Sequence, residues 1–284
     1  MENESRRRVA VCGGGAAGLL CAYFSAKNGD DVTVFEKNHA PARKLAITGK
    51  GRCNVTNDSE FQEILQNIPR NPKFLYAALR AFSPEDTKSL FESFGVALKT
   101  ERGNRVFPVS DNAYDIVDAL VGACKKEKVK ILCDTPISHL WLENGSLCGV
   151  KAASKQIPFD KVVIATGGKS YPLTGSTGDG YLLAKEAGHT IIPPSPALIP
   201  IETEESWPKA AMGLSLKNTA LEVTDIKSGK KIFGDFGEML FTHFGISGPM
   251  VLSASSYIDF SDCKRYKISI DLKPALDENT LEMR

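Results

Sequence analysis

The sequence predicts an α/β fold: a parallel sheet flanked by helices, followed by a smaller, mainly antiparallel β domain. Three observations carry this expectation. Within about thirty residues, an apolar run, a glycine turn, a helical stretch and a second apolar run ending in an acid follow one another. A second buried run, Val162–Val163–Ile164–Ala165, leads into another glycine turn. Past the proline-rich stretch Pro193–Pro200, short alternating segments replace helical periodicity.

The first element decides how the rest is read. Val9–Ala10–Val11 is predicted as a short buried strand. Gly13-Gly14-Gly15-Ala16-Ala17-Gly18 matches G-x-G-x-x-G, Leu19 to Lys27 continues as a helix, and Asn28-Gly29 stops it. Val32 to Phe35 forms the second strand, closed by Glu36. Gly13 allows the tight turn, Gly15 lets backbone approach a pyrophosphate, and Gly18 lets helix and strand pack closely. The free N–H groups and positive dipole end of the helix face the phosphates. Glu36 follows Gly18 at the spacing of a ribose-binding acid, and its charge repels a 2′-phosphate. The dinucleotide is therefore FAD or NAD, not NADP. A secretory leader is the competing reading, since Arg6-Arg7-Arg8 precede an uncharged run from Val9 to Phe24. Three consecutive glycines and the acids Glu2 and Glu4 argue against it.

Composition narrows the class. A chain of 284 residues suits one large domain or two of ordinary size. A formal net charge of +1 provides no global field toward nucleic acid or membrane, and neither is expected as a partner. Seven cysteines, an odd number without a Cys-x-x-Cys pair, point to reduced thiols, a cytoplasmic location and no metal site.

The next segment, Arg43 to Asn57, is glycine-rich, polar and basic. Gly49, Lys50, Gly51, Arg52, Asn54, Thr56 and Asn57 crowd donors into a short loop able to wrap a pyrophosphate or the polar edge of a flavin ring. From Phe61 to Lys128 the pattern is mostly helical. Ser83-Pro84-Glu85-Asp86 opens one helix, and another begins near Asp111. Phe74, Leu75, Leu79, Phe91 and Phe94 are read as core. Val129 to Cys133 is a strand, Asn144-Gly145 turns a hairpin, and Asp179 sits at a helix start. In the second domain, strands are expected at 219–223, 231–233 and 266–270. Ser247 is expected to cap a helix with Pro249 in its first turn. His243 is read as anchoring the Ser-Gly-Pro turn, with a place near substrate as the alternative.

The segments "GGGAAG", "EKN", "RKLAITGKGRCNVTN", "RVFPVSDNA", "ATGGKSYPLTGSTGDGY", "PALIP" and "FTHFGISGP" occur in this order. Together they resemble the bacterial NAD(P)/FAD-dependent oxidoreductases that include aminoacetone oxidase-like and BaiN-like flavoproteins. The resemblance implies a glutathione-reductase-like, doubly wound FAD-binding Rossmann domain over residues 1–192, with a helical insertion at about 58–125. Residues 193–284 would begin an inserted substrate domain. Family members run well past this chain's end, so the resemblance also implies a truncated chain, with Leu276 to Arg284 opening a helix. Such a chain is expected to hold FAD weakly and turn over little.

The cofactor site implied by the resemblance, together with the fingerprint, comprises Gly13, Gly15, Ala16, Ala17, Gly18, Glu36, Lys37, Lys44 and Thr48. The covering loop adds Gly49, Gly51, Arg52, Cys53, Asn54, Thr56 and Asn57. Pro136 and Ile137 are expected at the adenine, and Ala165, Thr166, Gly167 and Gly168 at the second glycine turn. The expected activity is FAD-dependent hydride transfer involving a small molecule, with NAD(P)H as a possible electron donor and no catalytic side chain assigned. The alternatives are a flavin-free NAD-dependent dehydrogenase and a non-catalytic nucleotide-binding fragment.

Overall fold

A computed structural model of the chain describes residues 6–276 together with Thr280, Glu282 and Met283. The expected helix from Leu276 lies largely outside the described residues. The chain separates into two compact units, Met1–Ile192 and Pro193–Arg284.

The first unit opens with β1 (Arg8–Cys12), α1 (Ala16–Lys27), β2 (Asp31–Phe35) and α2 (Arg43–Ile47). Then come β3 (Thr56–Asn57), α3 (Phe61–Gln66), α4 (Tyr76–Ala81), α5 (Pro84–Ser93), β4 (Leu98–Glu101), β5 (Arg105–Pro108) and α6 (Ala113–Lys126). β6 (Lys130–Leu132), β7 (Ile137–Glu143), β8 (Ser146–Ala152), β9 (Lys155–Pro158), β10 (Lys161–Ile164) and α7 (Asp179–Glu186) complete it.

Four strands form a parallel sheet in the order β10-β1-β2-β6, the start of a Rossmann fold. The alternation of β1 explains why both faces are covered. Val9 and Val11 enter a core with Leu19 and Tyr23 of α1 and Ile116 and Leu120 of α6. Ala10 and Cys12 enter the opposite core with Leu140, Val150 and Leu183. That face is covered by the antiparallel meander β7-β8-β9 and by α7, not by a second helical layer alone. The meander turns at Asn144 and Gly145, both with positive φ (49° and 76°), as a two-residue hairpin requires.

The segment at 58–125 is only partly helical. β3, β5 and β4 form an antiparallel sheet, and α6 belongs to the Rossmann layer because its apolar stripe packs on α1. The expected core residues divide. Phe91 is buried and Phe94 packs beside it, whereas Phe74 is 85% exposed and Leu75 is exposed. Phe74 and Leu75 lie in the single turn Pro72–Leu75 before α4, a six-residue helix that buries none of its own residues.

The second unit contains β11 (Ile201–Glu202), α8 (Trp207–Ala210), β12 (Ser215–Asp225), β13 (Lys230–Phe241), β14 (Gly245–Ser247), α9 (Pro249–Ser255) and β15 (Tyr266–Asp271). Its antiparallel sheet runs β11-β14-β13-β12-β15. Leu221, Val223, Met239 and Phe241 from the sheet bury against Met250, Val251 and Ala254 of α9. α9 begins at Gly248 (φ 98°) with no side-chain cap, so Ser247 does not cap it; Pro249 does occupy the first turn. His243 is exposed and stacks edge-on against Phe244, at 4.9 Å between ring centroids. The neighbouring turn at 242–245 is held by Thr242, whose Oγ1 accepts from Gly245 N–H at 3.1 Å.

Candidate functional site

A cavity of about 390 Å³ opens where β1, β2 and β10 end. Its walls belong to the first unit throughout. The glycine turn builds the floor. A Cβ on Gly13 (φ 107°) would lie 2.5 Å from the Ala165 carbonyl oxygen, and one on Gly18 only 1.9 Å from that of Gly13. Neither position accepts a side chain, because β10 and α1 press directly on the turn. At Gly15 a Cβ would meet nothing within 4 Å. There the backbone faces open space at the head of α1, whose N-cap has no side-chain cap. The first-turn N–H groups have no partner further back in the helix, so this end attracts an anion.

Glu36 is 7% exposed. Its Oε2 accepts from Gly14 N–H at 2.8 Å, and its Oε1 from the Asn38 backbone N–H at 2.8 Å and the Asn38 Nδ2 at 2.6 Å. A carboxylate offers about four lone-pair sites, so acceptor capacity remains beside the cavity. The segment after β2 then reaches across to the loop preceding α7. Lys37 Nζ donates to Thr177 Oγ1 at 2.6 Å and Asp179 Oδ2 at 2.7 Å. Lys44 Nζ donates to the Ser170 carbonyl at 2.9 Å and Ser176 Oγ at 2.6 Å. The Asp179 carboxyl sits below its ordinary value because its bonds to Lys37 and Thr177 outweigh the opposing effect of burial.

Of the residues expected from the sequence, Gly13, Gly15, Ala16, Ala17, Glu36, Lys37, Lys44 and Thr48 line this one cavity, as do Pro136, Ile137, Ala165, Thr166 and Gly167. Gly18 lies behind the turn as a packing residue. Gly168 does not line the cavity; a Cβ there would meet the Tyr181 hydroxyl at 3.4 Å.

None of Gly49, Gly51, Arg52, Cys53, Asn54, Thr56 and Asn57 lines this cavity; their loop is tied to β4 and β5. Gly49 and Lys50 take left-handed conformations, and Gly51 has φ 85°. Arg52 pairs with both oxygens of Glu101 at 2.9 and 3.2 Å, reaches Asp111 at 3.1 Å, and stacks 4.0 Å from the Phe107 ring centroid. Cys53 is fully buried. Asn54 is exposed. Thr56 and Asn57 pair with β5, and Asn57 Nδ2 donates to the Gly103 carbonyl. Sequence reasoning did not assign Asn38, Arg43, Ser176 and Asp179 to the cavity lining. The clue was their position within the quoted "EKN", "RKL" and "GSTGD" segments.

Three of the seven thiols are held protonated by burial. Burial pushes Cys12 up to about 12 and Cys124 up to about 11, and it also raises Cys53. These thiols stay protonated at neutral pH. The seven cysteines are unpaired. No metal-holding cluster occurs among the described residues, and none of their helices is long and apolar enough to cross a membrane.

Comparison with known proteins agrees with this architecture. The family model described as the HI0933-like protein Rossmann domain matches residues 7–252. A 3-dehydro-bile acid delta(4,6)-reductase of Clostridium scindens is 31% identical over 95% of this chain and 65% of its own length. A ribosomal RNA dihydrouridine synthase of Haemophilus influenzae is 33% identical over 93% of this chain and 64% of its own. This chain thus spans just under two thirds of these curated relatives. Among solved structures, the open conformation of a flavocytochrome c3 fumarate reductase superposes with a TM-score of 0.52. The match has 20% identity and covers 75% of this chain and 47% of that one, a likeness of fold. With its fingerprint, parallel sheet and family match over most of its length, the chain belongs to the HI0933-like protein Rossmann-domain family.

Proposed function

We propose that this chain carries the FAD-binding part of an oxidoreductase that adds hydrogen across a carbon–carbon double bond. The observation that carries the reading is the cavity, where the open backbone at Gly15, the head of α1 and the buried Glu36 carboxylate converge. The residues fit the group. The space beside Gly15 admits a pyrophosphate that a Cβ would obstruct, and Glu36 accepts from ribose hydroxyls while disfavouring a 2′-phosphate. Lys44 and Thr48 continue the wall beyond the pyrophosphate, and Pro136 and Ile137 offer an adenine shelf.

FAD would supply the hydride chemistry, and the protein supplies position and exclusion of water. Arg52 and its two carboxylates hold the 49–57 loop in shape. That loop is the segment we assign to the flavin side. The double-bond reading is supported by two relatives whose names describe the same change on different molecules, a bile acid and a uridine in RNA. A small molecule is the substrate class we assign here, with NAD(P)H as the electron donor.

The test begins with the absorption spectrum of the purified protein and titration with FAD. The reduced protein is then offered a conjugated cyclic enone and a uridine-containing RNA. A flavin spectrum with enone reduction supports the proposal. Binding of NAD without flavin would replace it with a flavin-free dehydrogenase, and product from RNA alone would overturn the substrate class.

A further inference from the structure

Asn38 is a junction on the cavity wall. Its backbone N–H and Nδ2 both donate to Glu36 Oε1, at 2.8 and 2.6 Å. Its Oδ1 accepts from Arg43 Nη1 at 2.9 Å, and Nδ2 also reaches the Thr174 carbonyl at 3.4 Å. Its own carbonyl accepts from Asp134 N–H at 3.0 Å. One half-buried amide therefore joins the acid after β2, the first residue of α2 and the loop before α7. Two donors on Oε1 leave Glu36 little rotational freedom, so Oε2 stays beside Gly14 and the cavity.

We propose that Asn38 is the positioning residue of the dinucleotide site, orienting the Glu36 carboxylate for ribose and coupling it to the 170–179 loop. The proposal rests on the dinucleotide reading above. An amide is suited to this role because it donates to the carboxylate while accepting from Arg43. An aspartate keeps the shape and the Arg43 contact but cannot donate when ionised.

The test uses Asn38→Ala and Asn38→Asp in the full chain, with FAD and ADP as probes, titrated by fluorescence and calorimetry across about pH 4 to 8. Asn38→Ala should weaken both ligands about tenfold at every pH, the loss of a bond to a charged group. In Asn38→Asp, the introduced carboxylate faces Glu36. At high pH both are ionised and repel. As pH falls they share a proton, and an O–H donor returns. Affinity in Asn38→Asp should therefore recover toward the wild-type value as pH falls.

Arg43, Lys37, Asp179, Cys133 and Asp134 surround this pair, and exposed His39 follows it in the chain. They are present in both proteins, so the comparison is between the two pH profiles. Parallel profiles for wild type and Asn38→Asp would reduce Asn38 to a structural residue and overturn the proposal. Should Asn38→Asp not fold, a double-mutant cycle of Asn38→Ala with Glu36→Gln asks the same question, and strict additivity overturns it. ADP binding with this signature but no FAD binding would sink the flavin reading alone.

Discussion

Gly18 shows how much one missing methyl decides. Its Cβ position lies 1.9 Å from the Gly13 carbonyl oxygen, inside backbone that cannot yield. Gly18→Ala is expected to destabilise the first unit by about 3 kcal/mol, at the upper end of overpacking costs, measured by urea denaturation. Glu36→Ala should weaken FAD binding by about 1–3 kcal/mol, the range for a bond to a charged group. Unchanged affinity in a titration would remove Glu36 from the site. Asp225 supplies a pH test in the second unit. Arg265, Ser228 and the Lys227 N–H hold its carboxyl well below the ordinary 3.8. A lowered value adds stability above the unfolded-state value and loses it as pH falls through the folded one. The second unit should therefore begin to lose thermal stability as pH drops below about 4, and Asp225→Asn should blunt that acid dependence while lowering stability at pH 7. At this scale, Gly18 was legible because the carbonyl that excludes its side chain lies five residues away, and Gly13 through the local G-x-G-x-x-G pattern, although its own clash is with distant Ala165. The bonds from Lys37 to Asp179 and from Arg52 to Glu101 were not, since 142 and 49 positions separate the partners.

Elements were legible where their ends carry chemistry of their own. Ser83 caps α5 with Pro84 in its first turn, as expected, and Asp86 returns the bond to complete a reciprocal capping box. Ser83→Ala should cost about 1 kcal/mol, read as a lowered denaturation midpoint with unchanged slope. The Asn144-Gly145 hairpin was equally local, and Gly145→Val, forced to φ 76°, should loosen the β7-β8-β9 meander by about 2 kcal/mol. Hydrogen exchange confined to the meander would check it. Periodicity failed where the elements were too short to carry it. Phe74 and Leu75 carried the spacing of a core, but they fall in the four-residue turn Pro72–Leu75, too short to bury an apolar face. The antiparallel sheet of β3, β4 and β5 was hidden for a related reason. Its strands have only two to four residues each, too short for alternation to stand out.

For the whole molecule, the two compact units differ in what a ligand does to them. The cavity is walled from Cys12 to Leu183, wholly within the first. A ligand that binds only the folded form stabilises by mass action, about 2.7 kcal/mol at a hundredfold excess over Kd. For a unit of this size each kcal/mol moves the melting temperature by roughly 2–4 °C. FAD at that excess should therefore raise the first unit's transition by about 5–10 °C. The second unit's transition should stay where it is, because its core of β12, β13 and α9 contributes nothing to the cavity wall. Scanning calorimetry with and without FAD reads both transitions in one experiment, and the acid sensitivity of Asp225 identifies which belongs to the second unit. A single transition that shifts as a whole would show that the units unfold cooperatively. Two transitions with neither moved would remove FAD from the cavity.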